Sequence, residues 1–165
     1  MHFFISVDKM KESIMQKGAD WMAVKHIDVS MLVVGESYTR MQLAEFWGYN
    51  GTRGMEKGIL PAANHVVALF TTEKKSSYHV TKYVDHLSGS RLEIQGQASH
   101  LTDRVVMDDA SVFYSFYRSE ATSAGNKIQP FLYLGRAELI REECRLLSDE
   151  PSRFVFHLVD MDKAE

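Results

Sequence analysis

The hydrophobic pattern of this 165-residue chain changes period once, near residue 65. Before that point apolar residues recur at helical spacing, and after it they alternate. Residues 8–24 predict a first helix, with Asp8 at its start, Met10, Ile14, Trp21 and Met22 roughly on one side, and Gly18 weakening its middle. The β-branched run at 29–34 predicts a short buried strand. The segment SYTRMQLAEFWG predicts a second helix. Ser37 or Thr39 caps it, Met41, Leu43, Ala44, Phe46 and Trp47 supply its apolar side, and Gly48 stops it. Residues 50–64, with Gly51, Gly54, Gly58 and Pro61, read as a long loop of the kind that carries function.

Six strand candidates follow: HVVALFTT, YHVTKYVDHL, SRLEIQGQ, SVFYSFYRS, PFLYLGRAELIREECRLL and RFVFHLVD. Turn clusters at 74–77, 88–90 and 148–151 punctuate them. In SVFYSFYRS both faces are apolar or aromatic, as expected when one looks into a core and the other meets a helix or a partner. The last two candidates predict a hairpin around Pro151. Helices first and strands afterwards define an α+β domain, with N-terminal helices followed by a curled, mostly antiparallel six-stranded sheet that forms a half-open β-barrel. No repeat or Pro-rich linker interrupts the chain, so a single domain spans 1–165. Its parts are an N-terminal helix and strand (1–35), a core (36–138) and an acidic C-terminal hairpin (139–165).

A formal charge of −3 argues against a histone-like nucleic-acid coat. Its distribution weakens that objection. From Glu138 onward there are eight acids and four bases, which leaves fourteen acids and fifteen bases in residues 1–137. Arg40, Arg53, Lys57, Lys74, Lys75, Lys82, Arg91, Arg104 and Arg118 fall near loops and turns, a basic rim compatible with salt-sensitive binding to a phosphate backbone. The single cysteine, Cys144, excludes an intrachain disulfide framework and a cysteine-cluster zinc site, and a cytoplasmic location is expected. No run approaches the ~18 apolar residues of a membrane span, and the N-terminus has no basic leader or small-residue cleavage site, so a soluble protein without a signal peptide is expected.

Catalytic signatures are sparse. No glycine loop is followed by Lys and Ser or Thr, the glycines at 48–54 follow no strand, and the seven histidines form no pair at helical ligand spacing. No cofactor or metal is expected. One enzyme reading remains: Asp85 ends one strand and Glu93 and Gln95 lie on the next, so a hairpin could join two carboxylates around Mg²⁺ in a small nuclease. Asp followed by Glu-x-Gln lacks the lysine of the Asp…Glu-x-Lys arrangement, which supplies charge near the attacking water. The other constellation is aromatic and polar. Trp47, Tyr49 and Tyr133 could stack on a base, Gln97 and Asp85 could read base edges, and Arg53, Arg118, Lys74 and Lys75 could hold phosphates. Tyr83 and Ser99 belong to the same set. A small-molecule or protein-interaction domain is the remaining alternative.

The ordered series Tyr38-Thr39-Arg40, Gly48-Tyr49, Tyr83-x-Asp85, Gln95-x-Gln97-x-Ser99, Phe116-Tyr117-Arg118 and Phe131-x-Tyr133-x-Gly135-Arg136 resembles an uncharacterised domain appended to bacterial helicase-nuclease and restriction-type proteins. It covers residues 36 to about 138. The resemblance implies a DNA-recognising module of a restriction or defence system, one that senses a modified base on duplex DNA. Tyr83, Asp85, Gln97, Ser99, Arg118 and Tyr133 are the positions carried over. Nothing in the chain matches a helicase or a nuclease of that context, so the resemblance implies a separate nuclease or translocase partner.

Overall fold

The computed structural model describes residues 25–74, 85–97, 99–125 and 127–164. The helix expected over 8–24 lies outside them.

The second helix forms where its punctuation places it. Strand β1 (Ser37–Tyr38) leads into α1 (Arg40–Trp47). Thr39 adopts an extended conformation, its hydroxyl accepts the Gln42 N–H at 3.1 Å, and the Gln42 side chain accepts the Thr39 N–H at 2.8 Å. This reciprocal cap satisfies two backbone donors that the first turn would leave unpaired. Gly48 ends the helix in the left-handed region and donates its N–H to the Ala44 carbonyl. Thr39→Ala is expected to cost about 1 kcal/mol, read as a lowered urea midpoint at unchanged slope.

The strand expected at 29–34 does not form. The Asp28 carboxylate accepts the Ser30 N–H, and two turns follow, closed by Leu32 N–H to Val29 O and Glu36 N–H to Val33 O. Local side-chain bonding outcompetes β propensity here, and Leu32 alone among residues 29–34 is buried. The glycine-rich stretch also departs from expectation. It holds a 3₁₀ turn at Arg53–Met55 and a strand, β2 (Ile59–Pro61), whose Ile59 and Leu60 are buried against the sheet. Pro61 is tolerated because β2 is an edge strand.

The remaining strands are β3 (Val66–Lys74), β4 (His86–Ser88), β5 (Arg91–Gln95), β6 (Val112–Glu120), β7 (Phe131–Leu139) and β8 (Arg153–Leu158). A one-turn helix, α2 (Asp103–Val106), precedes β6. Among the described residues one sheet holds eight strands in place of the expected six, in the order β2-β3-β6-β7-β8-β5-β4, with β1 added on β7, and most of the strand expected over 78–87 lies outside the described residues. Every pairing among the described residues is antiparallel except β3 with β6, which run parallel from Val66↔Val112 to Lys74↔Glu120. The expected C-terminal hairpin forms, with Ala137↔Leu158 and Leu139↔Phe156 in register. The protein is thus α+β and mostly sheet, and the sheet is not closed.

The sheet has two apolar faces. On one, Val67, Leu69, Phe113, Phe154, Phe156 and Leu158 pack together, joined by Val106 of α2. On the other, Ala68, Phe70, Phe116, Phe131 and Tyr133 lie under Leu43, Ala44 and Trp47 of α1. The doubly apolar reading of β6 is explained: Phe113 serves the first face and Phe116 the second. A bulge in β7 switches which parity of its side chains faces which core. Phe116 pairs with Tyr133 but Ser115 pairs with Gly135, so one residue is skipped. Tyr133 therefore packs on the α1 side and Ala137 on the opposite side, although both are odd-numbered.

Candidate functional site

β2 pairs with β3 only at Val67 to Leu69, and past Phe70, whose N–H meets the Gly58 carbonyl, no strand among the described residues pairs on that edge of β3. The other end of the sheet approaches this edge. Glu73 accepts the Leu87 N–H at 3.0 Å and lies 3.4 Å from His86 Nδ1, yet among the described residues no ladder joins β3 to β4. A half-open cleft of about 500 Å³ occupies this seam. One wall carries Arg40, Lys57, Phe70, Thr72 and Arg118, and the other carries Asp85, Gln95, Gly96 and Gln97.

Arg118 follows Phe116 by two residues on β6, so alternation keeps it on the face below α1. Its cross-strand neighbour is Thr72, whose hydroxyl accepts its Nε–H at 2.8 Å, and the Gln129 carbonyl accepts from Nη1 at 3.1 Å. The guanidinium carbon sits 4.2 Å from the Phe131 ring centroid. Arg40, the first residue of α1, reaches the same floor: its guanidinium carbon lies 5.0 Å from the Phe131 centroid and 5.1 Å from that of Phe70. Two cations thus share one aromatic ring, each gaining cation–π attraction where water is partly excluded.

Burial disfavours both charges. It lowers the Arg118 pKa to about 10, with the Arg40 charge as the second cause. Arg40 is lowered by burial too, partly offset by the Glu56 carboxylate, and Lys57 is lowered by the same desolvation. Arg118 still remains a cation at neutral pH. The Nε of Arg40 is buried and meets no hydrogen-bond partner among the described residues. The site therefore sets three cations, two of them guanidinia on a hydrophobic floor, against the carboxylates of Glu56 and Asp85.

The opposite wall is polar. Asp85 is 8% exposed and accepts the Gln95 N–H at 3.2 Å. Gly96 donates its N–H to the Ser152 carbonyl at 2.7 Å, and a Cβ at this position would stand 2.9 Å from Phe154 Cε2 and 3.0 Å from Asp103 Oδ1. Only glycine lets residues 95–97 lie this close to β8, and that approach sets the wall bearing Gln97.

Of the residues expected from sequence, Asp85, Gln95, Gln97 and Arg118 come together in the cleft. Ser99 stands next to them, exposed, with its hydroxyl 3.5 Å from Gln97 Oε1. Trp47 and Tyr133 are corrected. Both are 4% exposed and belong to the core below α1, the Trp47 indole N–H donating to the Asp28 carbonyl at 3.0 Å, so neither presents a stacking surface. Burial, followed by the nearby Tyr114 and Asp160, raises the Tyr133 hydroxyl pKa well above its ordinary value. Tyr49 is half-buried against the same core, and Arg53 is exposed on its 3₁₀ turn. Tyr83 and Lys75 lie outside the described residues, as does the side chain of Lys74.

The paired-carboxylate reading meets a different geometry. Glu93 is bound to Arg153 at 3.1 Å and to Arg91 at 3.4 Å, and it lines a second cleft with Glu143 and Cys144, whereas Asp85 lines the first. Arginine pairing neutralises Glu93, and no group of three or more ligating side chains that could hold a metal occurs among the described residues. Arg40 and Lys57, expected only as members of a basic rim, also line the cleft. Arg40 also stands in the ordered series at Tyr38-Thr39-Arg40, whereas Lys57 carries no signal beyond its charge beside a loop.

No protein-family model matches the chain, and neither a curated protein nor a solved structure matches it. Fold and site together define an α+β protein, mostly sheet, with a cationic cleft at the seam of an unclosed sheet. No helix among the described residues is long and apolar enough to cross a membrane.

Proposed function

We propose that this chain is a non-catalytic, cytoplasmic DNA-binding module of a restriction or defence system, and that its seam cleft receives a single nucleotide, modified bases included. The observation that carries this reading is the convergence of Arg118, Gln97, Gln95 and Asp85 with Arg40 in one half-open cleft. In it Arg40, Arg118 and Lys57 act on phosphate, while Gln95, Gln97 and Asp85 face the donors and acceptors of a base edge. The curled sheet serves as a half-open barrel of the reader type, with a nuclease or translocase on a separate polypeptide as effector. A cleft open to solvent and rich in guanidinium favours nucleic acid over an enclosed small-molecule pocket.

Anisotropy titrations against unmodified, methylated and hydroxymethylated duplexes at 50 and 200 mM salt test this reading. Binding is expected to weaken by about tenfold or more between the two salts, since even a few phosphate contacts release that many counterions. Gln97→Ala is expected to change the ranking of the three duplexes. No binding to any of them at the lower salt sinks the proposal.

A further inference from the structure

The chemistry of the cleft is more specific than a basic patch. Surface arginines that track a DNA backbone are solvated and separated, and each meets one phosphodiester of charge −1. Arg40 and Arg118 instead sit over the same Phe131 ring, partly stripped of water, close enough that the Arg40 charge disfavours that of Arg118. Arg118 spends two donors on Thr72 and Gln129, which holds its plane still, while the Nε of Arg40 is buried without a partner among the described residues. Such a pair is costly on its own and is stabilised by an anion that both guanidinia face. Lys57 adds a third cation to the same wall, against Glu56 beside Arg40 and Asp85 across the cleft.

Size limits how that anion arrives. A cleft of about 500 Å³ holds one nucleotide-sized group, and Arg40, Lys57 and Arg118 are all half-buried along it. A strand end presents its terminal nucleotide to such a cleft without the unstacking and unpairing that an internal nucleotide of a duplex requires. A strand end can also carry a phosphate monoester, with about −1.5 to −2 charges at neutral pH and three acceptor oxygens, which suits two guanidinium forks better than a diester does.

We propose that the Arg40–Arg118 pair is a clamp for a phosphate monoester at a nucleic-acid strand end, so that the cleft takes DNA by its terminal nucleotide rather than along its groove. This inference rests on the nucleic-acid reading above. The monoester could also be that of a free mononucleotide, and the experiment separates the two sources.

The full chain is titrated with an internally labelled single-stranded oligonucleotide ending in a 5′-phosphate, the same strand ending in a 5′-hydroxyl, and a closed dumbbell duplex without ends. The phosphorylated strand is expected to bind about tenfold or more tighter than the hydroxyl strand, the effect of one or more charge-assisted hydrogen bonds. Arg40→Met keeps the apolar stem over Phe70 and Phe131 and is expected to abolish that preference. Arg40→Lys, which keeps the charge without the fork, is expected to retain part of it. Thermal midpoints of both variants identify any loss that is merely unfolding. A nucleoside 5′-monophosphate is expected to displace the phosphorylated strand only at far higher concentration than unlabelled phosphorylated strand does. Equal affinity for the two strand ends and the dumbbell overturns the clamp and leaves the DNA reading standing. Absence of binding to all three overturns both, and binding of the free mononucleotide alone overturns the strand end as its source.

Discussion

Gly135→Ala is expected to lower the unfolding free energy by about 3 kcal/mol or more, shifting the thermal midpoint by on the order of 10 °C for a chain of this size. Two causes add. Gly135 occupies the left-handed region at φ 84°, where a side chain costs about 1–2 kcal/mol. A Cβ there would also collide with the Asp160 carboxylate, which accepts the Arg136 N–H at 2.8 Å. Displacing Asp160 leaves that donor unpaired beside a bulge that both cores depend on. Urea denaturation of Gly135→Ala in a wild-type and an Asp160→Ala background separates the causes. The alanine is expected to cost only the conformational part, about 1–2 kcal/mol, once Asp160 is truncated. Equal costs in both backgrounds would show that the carboxylate contact contributes nothing.

Phe131→Ala is expected to be the most damaging single substitution in the site. Phe131 is 1% exposed, contacts Phe70 edge-to-face at 5.0 Å, and forms the floor below both arginines. Truncating a buried phenylalanine costs about 3–5 kcal/mol, so loss of binding by this variant would not separate fold from site. Phe131→Leu does separate them. It retains most of the apolar volume at a cost of about 1 kcal/mol but removes the ring face that holds two guanidinia. On the proposed DNA reading, affinity is therefore expected to fall several-fold while the urea midpoint falls only by what about 1 kcal/mol costs, leaving the protein folded under the binding conditions. Unchanged affinity in a folded Phe131→Leu protein would show that the ring serves only the core.

The substitutions differ in what they reveal about the origin of the site. Gly135 acts through topology, since its bulge decides which side chains of β7 face α1 and which face the other core. Phe131 acts through desolvation, since it turns two ordinary arginines into a closely paired, water-poor set of donors.

Much of the fold is legible in local pattern. Thr39, Gln42 and Gly48 mark the ends of α1, and alternation places β3, β5, β6 and β8 nearly to the residue. The aromatic content of both faces of β6 foretells a layer on each side. These features depend on neighbours within a few positions, where cap chemistry and period two dominate. The misses are of another kind. The run at 29–34 has strand propensity but no strand to pair with, and Asp28 turns it instead. Ile59–Pro61 lacks any convincing local signal and becomes a strand because β3 presents an edge to it.

Sequence by itself determined the α+β class, the α1 caps, most of the sheet and the presence of Asp85, Gln95, Gln97 and Arg118 near strand ends. Tertiary structure alone decided that these four share a cleft, that Trp47 and Tyr133 are core rather than stacking surfaces, and that Arg40 stands beside Arg118. The reason is that solvent exposure and through-space charge depend on the parallel β3–β6 pairing, the β7 bulge and the approach of the two sheet ends. Each of those contacts joins residues distant in the chain, whereas alternation and capping report only on near neighbours.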